Sequence, residues 1–407
     1  MVCRHQNQAM FLIHLLAFLV IYLKSQEEFV IGFYLAQVIF FICYIGGFRL
    51  LYRNVSKLLL NNTSMLLCIG FIIQTRLSIT KGQNLAVKQF LVVVAAAVIC
   101  MVIPFIIDRV WQLVKIPWIY GIGGLILLAV VWIGGSTSYG AQLSLTLGGI
   151  AFQPSEFVKI TFVFFVAAMF YKSTDFKTVC TVTAAAAAHV LVLVASKDLG
   201  GAFIFFITYL FMLFVAASNW FYLGIGALGG SAAAVLAYFL FTHVQVRVEA
   251  WLNPWADIDN RGYQITQSLF AIGSGGWFGS GLFQGMPYKI PVVEKDFIFA
   301  AVFEEMGGIF AVCMLLICLG CFIQFMMIAS RMQAAFYKLI AFGLGIVYIV
   351  QVFLTVGGVV KFIPSTGVTL PFVSYGGSSV FSTFILFHVV QGLYILKRNE
   401  EEEYDQG

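Results

Sequence analysis

The polar interval from Arg247 to Gly308 holds the residues best suited to chemistry in a sequence that is otherwise apolar. It carries seven carboxylates, and three of them, Asp296, Glu304 and Glu305, lie at or just inside the edge of an apolar run. Charge at a membrane boundary is costly unless it is paired, hydrated or functional, so these residues are candidates for a site. Asp296 stands where water meets hydrocarbon, and partial loss of solvent would raise its pKa towards that of a general base. The alternative is that Asp296 only caps the helix that follows it.

Other charged candidates lie inside or beside the apolar runs. Glu156 and Lys159 are three residues apart, so on a helix they share a face and are expected to form an intramembrane pair. Asp198 is expected to pair with Lys197 or with another helix in the same way. For these residues, structural neutralisation of charge is as good an interpretation as contact with a substrate.

The elements that position these residues must lie in a lipid bilayer. Hydrophobic residues make up 61% of the 407 residues and charged residues 10%, whereas a soluble domain carries roughly 25% charged residues. The apolar runs are continuous rather than alternating, which indicates helices and not a barrel. The sequence therefore predicts an all-α polytopic membrane protein with about twelve transmembrane helices, a large loop before the tenth of them, and no separate soluble domain.

Twelve apolar runs are long enough to be helical spans. By their residue numbers these are 10–23, 29–51, 64–77, 90–107, 116–134, 157–171, 179–195, 199–217, 221–241, 297–328, 339–356 and 378–396. With the N-terminus inside, the cytoplasmic ends would hold twelve Lys and Arg residues, and the short outer loops, with Arg76 and Lys81 among their residues, would hold five. This bias places both termini in the cytoplasm and the loop from Arg247 to Asp296 outside.

Four motifs in order carry a resemblance to a known family. They are Gly140-Ala141 followed by FQPSEFVK, the tract Lys197–Ala202, the long loop ending in Asp296-Phe297-Ile298-Phe299 and Glu304-Glu305-x-Gly307, and PSTGVTLPFVSYGGSS from Pro364 to Ser379. Together they resemble the FtsW/RodA/SpoVE (SEDS) family of bacterial cell-wall synthesis, from about Ser64 to Arg398. The resemblance implies a ten-helix core, so the first two helices would be additions to it.

The resemblance also predicts how the chain is divided. Residues 1–60 would form the additional N-terminal hairpin, 61–398 the core, and 399–407 an acidic cytoplasmic tail. Within the core, 243–296 would be the large extracellular loop and 358–377 an outer segment, either re-entrant or an ordinary loop.

What the resemblance implies in function is a peptidoglycan glycosyltransferase that polymerises lipid II at the outer membrane face, in a bacterial plasma membrane. Asp296 matches the family's essential loop aspartate and is expected to be the general base. A class B penicillin-binding protein is the expected transpeptidase partner. No cofactor is firmly implied, and a divalent cation, Mg²⁺ or Mn²⁺, is left open. Substrate contacts are predicted for Lys159, Glu156, Arg247, Gln264, Lys197, Asp198, Glu304 and Ser374.

Two pairs of adjacent residues depart from the family pattern. Leu143-Ser144 stand where the family typically carries Arg-Trp, and Glu294-Lys295 stand where it usually has His-Thr or similar before the aspartate. The second departure changes the charge next to the predicted base. Two other interpretations therefore stay open: a lipid-linked precursor flippase or transporter, and a non-catalytic scaffold for the penicillin-binding protein.

Overall fold

The protein is almost entirely helical in a computed structural model that describes residues 2–138, 141–147 and 150–406. In chain order its elements are α1 (Val2–Ser25), α2 (Phe29–Leu51), α3 (Lys57–Lys81), α4 (Leu85–Cys100), α5 (Pro117–Gly134), β1 (Ser136–Ser138), β2 (Ala141–Leu147), β3 (Ile150–Phe152), α6 (Ser155–Lys172), α7 (Phe176–Ala195), α8 (Leu199–Ala217), α9 (Trp220–Leu240), α10 (Thr242–Leu252), α11 (Tyr263–Gly275), α12 (Ile298–Met306), α13 (Gly308–Arg331), α14 (Ala335–Val359) and α15 (Gly377–Gln406). Short 3₁₀ helices occupy Ile103–Lys115, Pro254–Asp257 and Pro287–Lys289.

Ten helices in the described ranges are long and apolar enough to span a bilayer, and α4 with the bent 3₁₀ helix after it would make eleven. The predicted class, a multi-pass helical membrane protein, is confirmed. The count is smaller than the predicted twelve because α6, although 18 residues long, carries three charges, Glu156, Lys159 and Lys172. Those charges are what makes α6 of interest for function.

The apolar run 297–328 is not one helix, contrary to the prediction. It divides at Gly307 into α12 and α13, because Gly307 has φ +90° and its N–H still bonds back to the carbonyl of Phe303 at 3.0 Å. A Cβ at Gly307 would lie 2.4 Å from the backbone nitrogen of Gly279. Only glycine fits this left-handed, closely approached position, and periodicity does not reveal the break.

The chain forms two compact units, and the first consists of Met1–Met101, His243–Cys321 and Val352–Gly376. Its core helix is α3, which packs against α1, α2, α4 and α12 and is buried over most of its length. Several polar residues of α3 are buried as well, and Thr63, Ser64 and Thr75 satisfy their hydroxyls by donating to the carbonyl four residues earlier. The remaining polar groups, among them Gln74 and Arg76, are available to hold other segments of this unit.

The second unit consists of Val102–Thr242, Phe322–Gln351 and Gly377–Gly407. Within it α5, α6, α7 and α8 pack against one another, and α15 packs against α6 and the 3₁₀ helix Ile103–Lys115. A small antiparallel sheet in the order β1-β2-β3 precedes α6. The sequence analysis did not predict this sheet, because its strands are short and lie between two apolar helices.

Candidate functional site

Asp296 lies in the first unit, in the turn that leads into α12, and is partly buried. Within the described residues α12 begins without a side-chain hydrogen bond capping its N-terminus. The alternative in which Asp296 serves only as a helix cap therefore has no hydrogen bond to support it. The Asp296 carboxylate is thus not used to cap α12.

The surroundings of Asp296 change its acidity. Burial raises the pKa of Asp296 from its ordinary value of 3.8 to about 6. Its own backbone N–H and the cations of Arg247 and Lys295 lower the pKa, while the negative charge of Glu294 raises it. A carboxyl with a pKa near 6 is ionised at neutral pH and is a stronger base than an exposed aspartate.

The C-terminal turns of α3 hold the segment on both sides of Asp296. Arg76 forms an ion pair of 2.7 Å with Glu305 of α12, and both side chains are about 2% exposed or less. The Arg76 guanidinium also donates to the Gly285 carbonyl at 3.2 Å and stacks on the Phe283 ring at 4.4 Å. This pair fixes α12 and the loop before it.

A second contact reaches the turn itself. Lys81, the last residue of α3, forms an ion pair of 2.5 Å with Glu294. The Gln74 amide donates to the Glu294 carbonyl at 3.0 Å, and the Tyr375 N–H donates to the same oxygen at 2.7 Å. The backbone two residues before Asp296 is thus fixed from two separate segments of this unit.

The segment 360–376, all of it described, is not helical and supplies one of these contacts. Ser374 is 2% exposed; its hydroxyl donates to the Lys295 carbonyl and accepts from the Leu370 N–H at 2.8 Å. Gln89 of α4 holds the same region by donating to the Ser374 carbonyl at 3.2 Å. The structure therefore shows Ser374 supporting the turn that carries Asp296. Its predicted contact with a substrate stays a prediction.

The other predicted site residues of the first unit also contact its loops. Arg247 donates to the Ser365 carbonyl at 3.2 Å, and Gln264 donates to the Pro291 carbonyl at 2.9 Å. Glu304 is 6% exposed; its Oε1 accepts from the Met286 N–H at 2.8 Å, and its Oε2 has no partner among the described residues. Asp296 and Arg247 remain the pair best placed for chemistry in this unit.

Glu156 and Lys159 lie in the second unit and form the pair that their spacing predicts. Their ion pair measures 2.6 Å. Lys159 also donates to the Gln351 amide oxygen at 2.8 Å, and Ser382 donates to Glu156 at 2.9 Å. Each charge thus has a second hydrogen-bond partner, as a buried ion pair requires.

Asp198 caps α8, because its Oδ1 accepts from the Gly201 N–H at 2.8 Å. A Cβ on Gly201 would come within 2.7 Å of this carboxylate, which explains the glycine in the tract. Ser155 of α6 donates to the other oxygen of Asp198 at 3.3 Å. The neighbouring Lys197 is exposed and has φ +63°. The tract thus connects the starts of α6 and α8.

Three residues that support the Asp296 turn or α12 were missed or misplaced in the prediction from sequence. Arg76 and Lys81 were assigned to an outer loop, but Arg76 is buried within α3 and Lys81 ends that helix. Gln74 was not singled out. The sequence did indicate that these residues need partners, because a charged or strongly polar residue in an apolar run is costly unless it is paired. The spacing of residues does not identify those partners.

Some predictions fall on parts of the chain that the structure leaves out. Gly140 of the Gly140-Ala141 motif lies outside the described residues, and so does the side chain of Leu143. Among the described residues, no group of three or more His, Cys, Asp or Glu side chains is arranged to hold a metal ion.

The spans, the buried ion pairs and the acidic turn together define a multi-pass helical membrane protein with a polar, charge-bearing site in each unit. A family model for FtsW/RodA/SpoVE, described as "Cell cycle protein", matches residues 55–399. The chain belongs to this family. The match begins after α2, so α1 and α2 lie outside it.

Relatives and solved structures agree with this assignment. The chain is similar to "Peptidoglycan glycosyltransferase RodA" of Mycobacterium tuberculosis, at 35% identity over 73% of this chain and 67% of that protein. It is also similar to "Peptidoglycan glycosyltransferase MrdB" of Escherichia coli, at 31% identity over 83% of this chain and 94% of that protein. A solved structure described as "Structural coordination of polymerization and crosslinking by a peptidoglycan synthase complex" matches with a TM-score of 0.71 at 22% identity, covering 84% of this chain and 97% of that one. At that identity the likeness shows the shared fold.

Proposed function

We propose that this protein is a peptidoglycan glycosyltransferase that polymerises lipid II at the outer face of the plasma membrane, with Asp296 as the general base. The observation that carries the proposal is the Asp296 carboxyl, whose pKa burial raises to about 6 on a turn held by α3 and the segment 360–376. The names of the relatives support the reaction class.

The proposed reaction gives a role to Asp296 and to two cations near it, Arg247 and Lys295. A sugar hydroxyl attacks the anomeric carbon of a lipid-linked sugar, and Asp296 accepts the hydroxyl proton as the new C–O bond forms. The bond from that carbon to the diphosphate breaks, and the lipid diphosphate leaves with the electron pair. Arg247 and Lys295 both act electrostatically on Asp296, so they are the cations proposed to stabilise the departing diphosphate. General-base help of this kind contributes about 10²–10⁴-fold to a rate.

The remaining assignments belong to the same proposal. The N- and C-termini lie in the cytoplasm, the loop with Asp296 lies outside, and a class B penicillin-binding protein crosslinks the strands that this chain makes. Contact with the substrate stays a prediction for Gln264, Glu304 and Ser374 of the first unit and, separately, for Glu156, Lys159, Lys197 and Asp198 of the second unit. A need for Mg²⁺ or Mn²⁺ stays a prediction, tested by chelation with EDTA and add-back of each ion.

The proposal is tested with purified protein and labelled lipid II, alone and together with the transpeptidase partner. Wild type is expected to make glycan polymer, and Asp296→Asn is expected to lose at least about 100-fold of that activity. Asp259→Asn is the matched control, because Asp259 is an exposed aspartate of the same loop.

Other outcomes would replace the proposal. Lipid translocation without polymer, unchanged in Asp296→Asn, would identify a flippase. Partner binding without either activity would identify a scaffold. Polymer made equally well by Asp296→Asn would leave the enzyme class in place but would remove Asp296 as the base.

A further inference from the structure

We propose that Lys81 is a positioning residue for catalysis, which acts by neutralising Glu294 so that only one free carboxylate, Asp296, is presented by the turn. The inference rests on the proposed function and deepens it. It also gives a role to Glu294, which with Lys295 stands where the family usually has His-Thr or similar.

The ion pair stands close to the predicted base along the chain. Glu294 precedes Asp296 by two residues, and its Oε2 lies 2.5 Å from Lys81 Nζ. The two side chains are 20% and 13% exposed, for Lys81 and Glu294 respectively. An ion pair this shielded from water is screened less than a surface pair, so its loss is felt more strongly by its neighbours.

The backbone of the turn does not depend on the ion pair. The Glu294 carbonyl is held by the Gln74 amide and the Tyr375 N–H, and the Lys295 carbonyl is held by the Ser374 hydroxyl. Removal of the Lys81 ammonium should therefore leave the turn in place and change mainly its charge. This separation makes an electrostatic role distinguishable from a structural one.

The charges that act on Asp296 come from two elements. Arg247 of α10 and the adjacent Lys295 favour its ionised form, and Glu294 opposes it. Lys81, from α3, reaches this set through Glu294. Without Lys81, Glu294 would stand unpaired beside Asp296, and two neighbouring carboxylates resist being ionised together. The pKa of Asp296 would then rise. As the pH falls, Asp296 would become protonated, and stop acting as a base, at a higher pH than in the wild type.

The test is the pH profile of lipid II polymerisation in four forms of the whole protein: wild type, Lys81→Met, Glu294→Gln and the double variant. In Lys81→Met the acid limb is expected to move up by about 0.5–1 pH unit, so activity near pH 6 falls about 2- to 5-fold while activity near pH 8 is largely kept. Glu294→Gln should move the limb down or leave it in place. The double variant should return it close to the wild-type position.

A matched control pair lies in the same loop. Arg261 and Glu249 form an ion pair of 3.1 Å with side chains 59% and 54% exposed. Arg261→Met therefore also leaves a glutamate unpaired, but in water, and its pH profile should stay that of wild type. A fall in activity that is equal at all pH values in Lys81→Met, and is not relieved in the double variant, would show a merely structural role and overturn the proposal.

A second measurement keeps this inference separate from the proposed activity. Infrared difference titration of the carboxyl band, with Asp296→Asn as the blank, reports the protonation of Asp296 without turnover. A midpoint that rises in Lys81→Met and returns in the double variant supports the inference even if no polymer is made. An unmoved midpoint contradicts it, whatever the enzyme does.

Discussion

The Asp296 carboxyl is held in a state that the fold disfavours, and this should be measurable as stability. Its pKa rises from 3.8 to about 6 because burial penalises the charge. Below about pH 3 the Asp296 carboxyl is protonated in both the folded and the unfolded form, so it does not change the free energy of unfolding. As pH rises from 4 to 6 the unfolded chain loses its proton first, so the folded state loses stability, up to ~3 kcal/mol above pH 6.

Asp296→Asn should therefore stabilise the protein at neutral pH, since the amide mimics the neutral acid. We expect its Tm in detergent to exceed that of wild type at pH 8 and to equal it at about pH 3. Thermal unfolding across this range checks the prediction, with Asp259→Asn as the exposed control. A variant less stable than wild type at pH 8 would mean that the carboxylate is a structural partner instead of a base kept ready for use.

Neutralising Glu305, which is buried with Arg76, should destabilise the protein, whereas neutralising Asp296 should stabilise it. Glu305→Gln leaves the Arg76 cation buried without its counter-charge, which costs about 3–5 kcal/mol of unfolding free energy. The double variant Arg76→Met/Glu305→Met removes both charges and should be less destabilised than Glu305→Gln. Denaturation of the three forms in detergent measures this. A double variant at least as destabilised as Glu305→Gln would show that the hydrogen bonds to Phe283 and Gly285 matter more than the charges.

At the scale of elements, the break between α12 and α13 sets where Asp296 stands. Gly307→Ala forces a Cβ into a position with φ +90° and a backbone atom 2.4 Å away. Backbone strain of this kind costs about 1–3 kcal/mol. If the chain relieves the strain by continuing α12 into α13, α12 and the turn before it must move. We expect lower Tm and lower polymerisation together.

Gly273→Ala in α11 is the matched control for that substitution. A Cβ there meets nothing within 4 Å, and alanine in a helix is favoured over glycine by about 1 kcal/mol. It should leave activity unchanged and stability equal or higher. If Gly307→Ala behaved in the same way, the break would not be what positions the turn.

These elements show what the sequence can and cannot predict. The membrane class follows from composition, and the i, i+3 spacing of Glu156 and Lys159 was enough to predict their pair, because both rest on local periodicity. The partners of Arg76 and Lys81 are more than 200 residues away in the chain, so no local pattern could name them. The break at Gly307 depends on contact with Gly279, which is a tertiary fact.

At the scale of the whole molecule, α1 and α2 lie before the residues that the family model matches, yet they join the first unit through polar contacts. Gln6 of α1 donates to Asn62 of α3 at 2.5 Å, and Arg49 of α2 donates to Asn61 at 3.2 Å. The buried His14 and Gln37 connect α1 to α2 at 2.9 Å. Polar groups that meet inside an apolar environment fix helix register, so the added hairpin is held in a defined place against α3, the helix that also supports the Asp296 turn.

The orientation of the whole chain is the condition on which the proposed reaction depends. A lipid-linked sugar polymerised outside the cell must meet Asp296 on the outer side, and the bias of Lys and Arg predicts that the loop lies there. Single cysteines at two exposed positions, Asp259→Cys in the loop and Lys177→Cys at the start of α7, can be compared in a background where Cys3 and the cysteines exposed among the described side chains, Cys43, Cys180 and Cys313, are replaced by alanine. A membrane-impermeant maleimide should label the cysteine at position 259 in intact cells and the cysteine at position 177 only after permeabilisation. The reverse pattern would place the carboxylate in the cytoplasm, where it could not act on an exported sugar, and the glycosyltransferase assignment would fail with it.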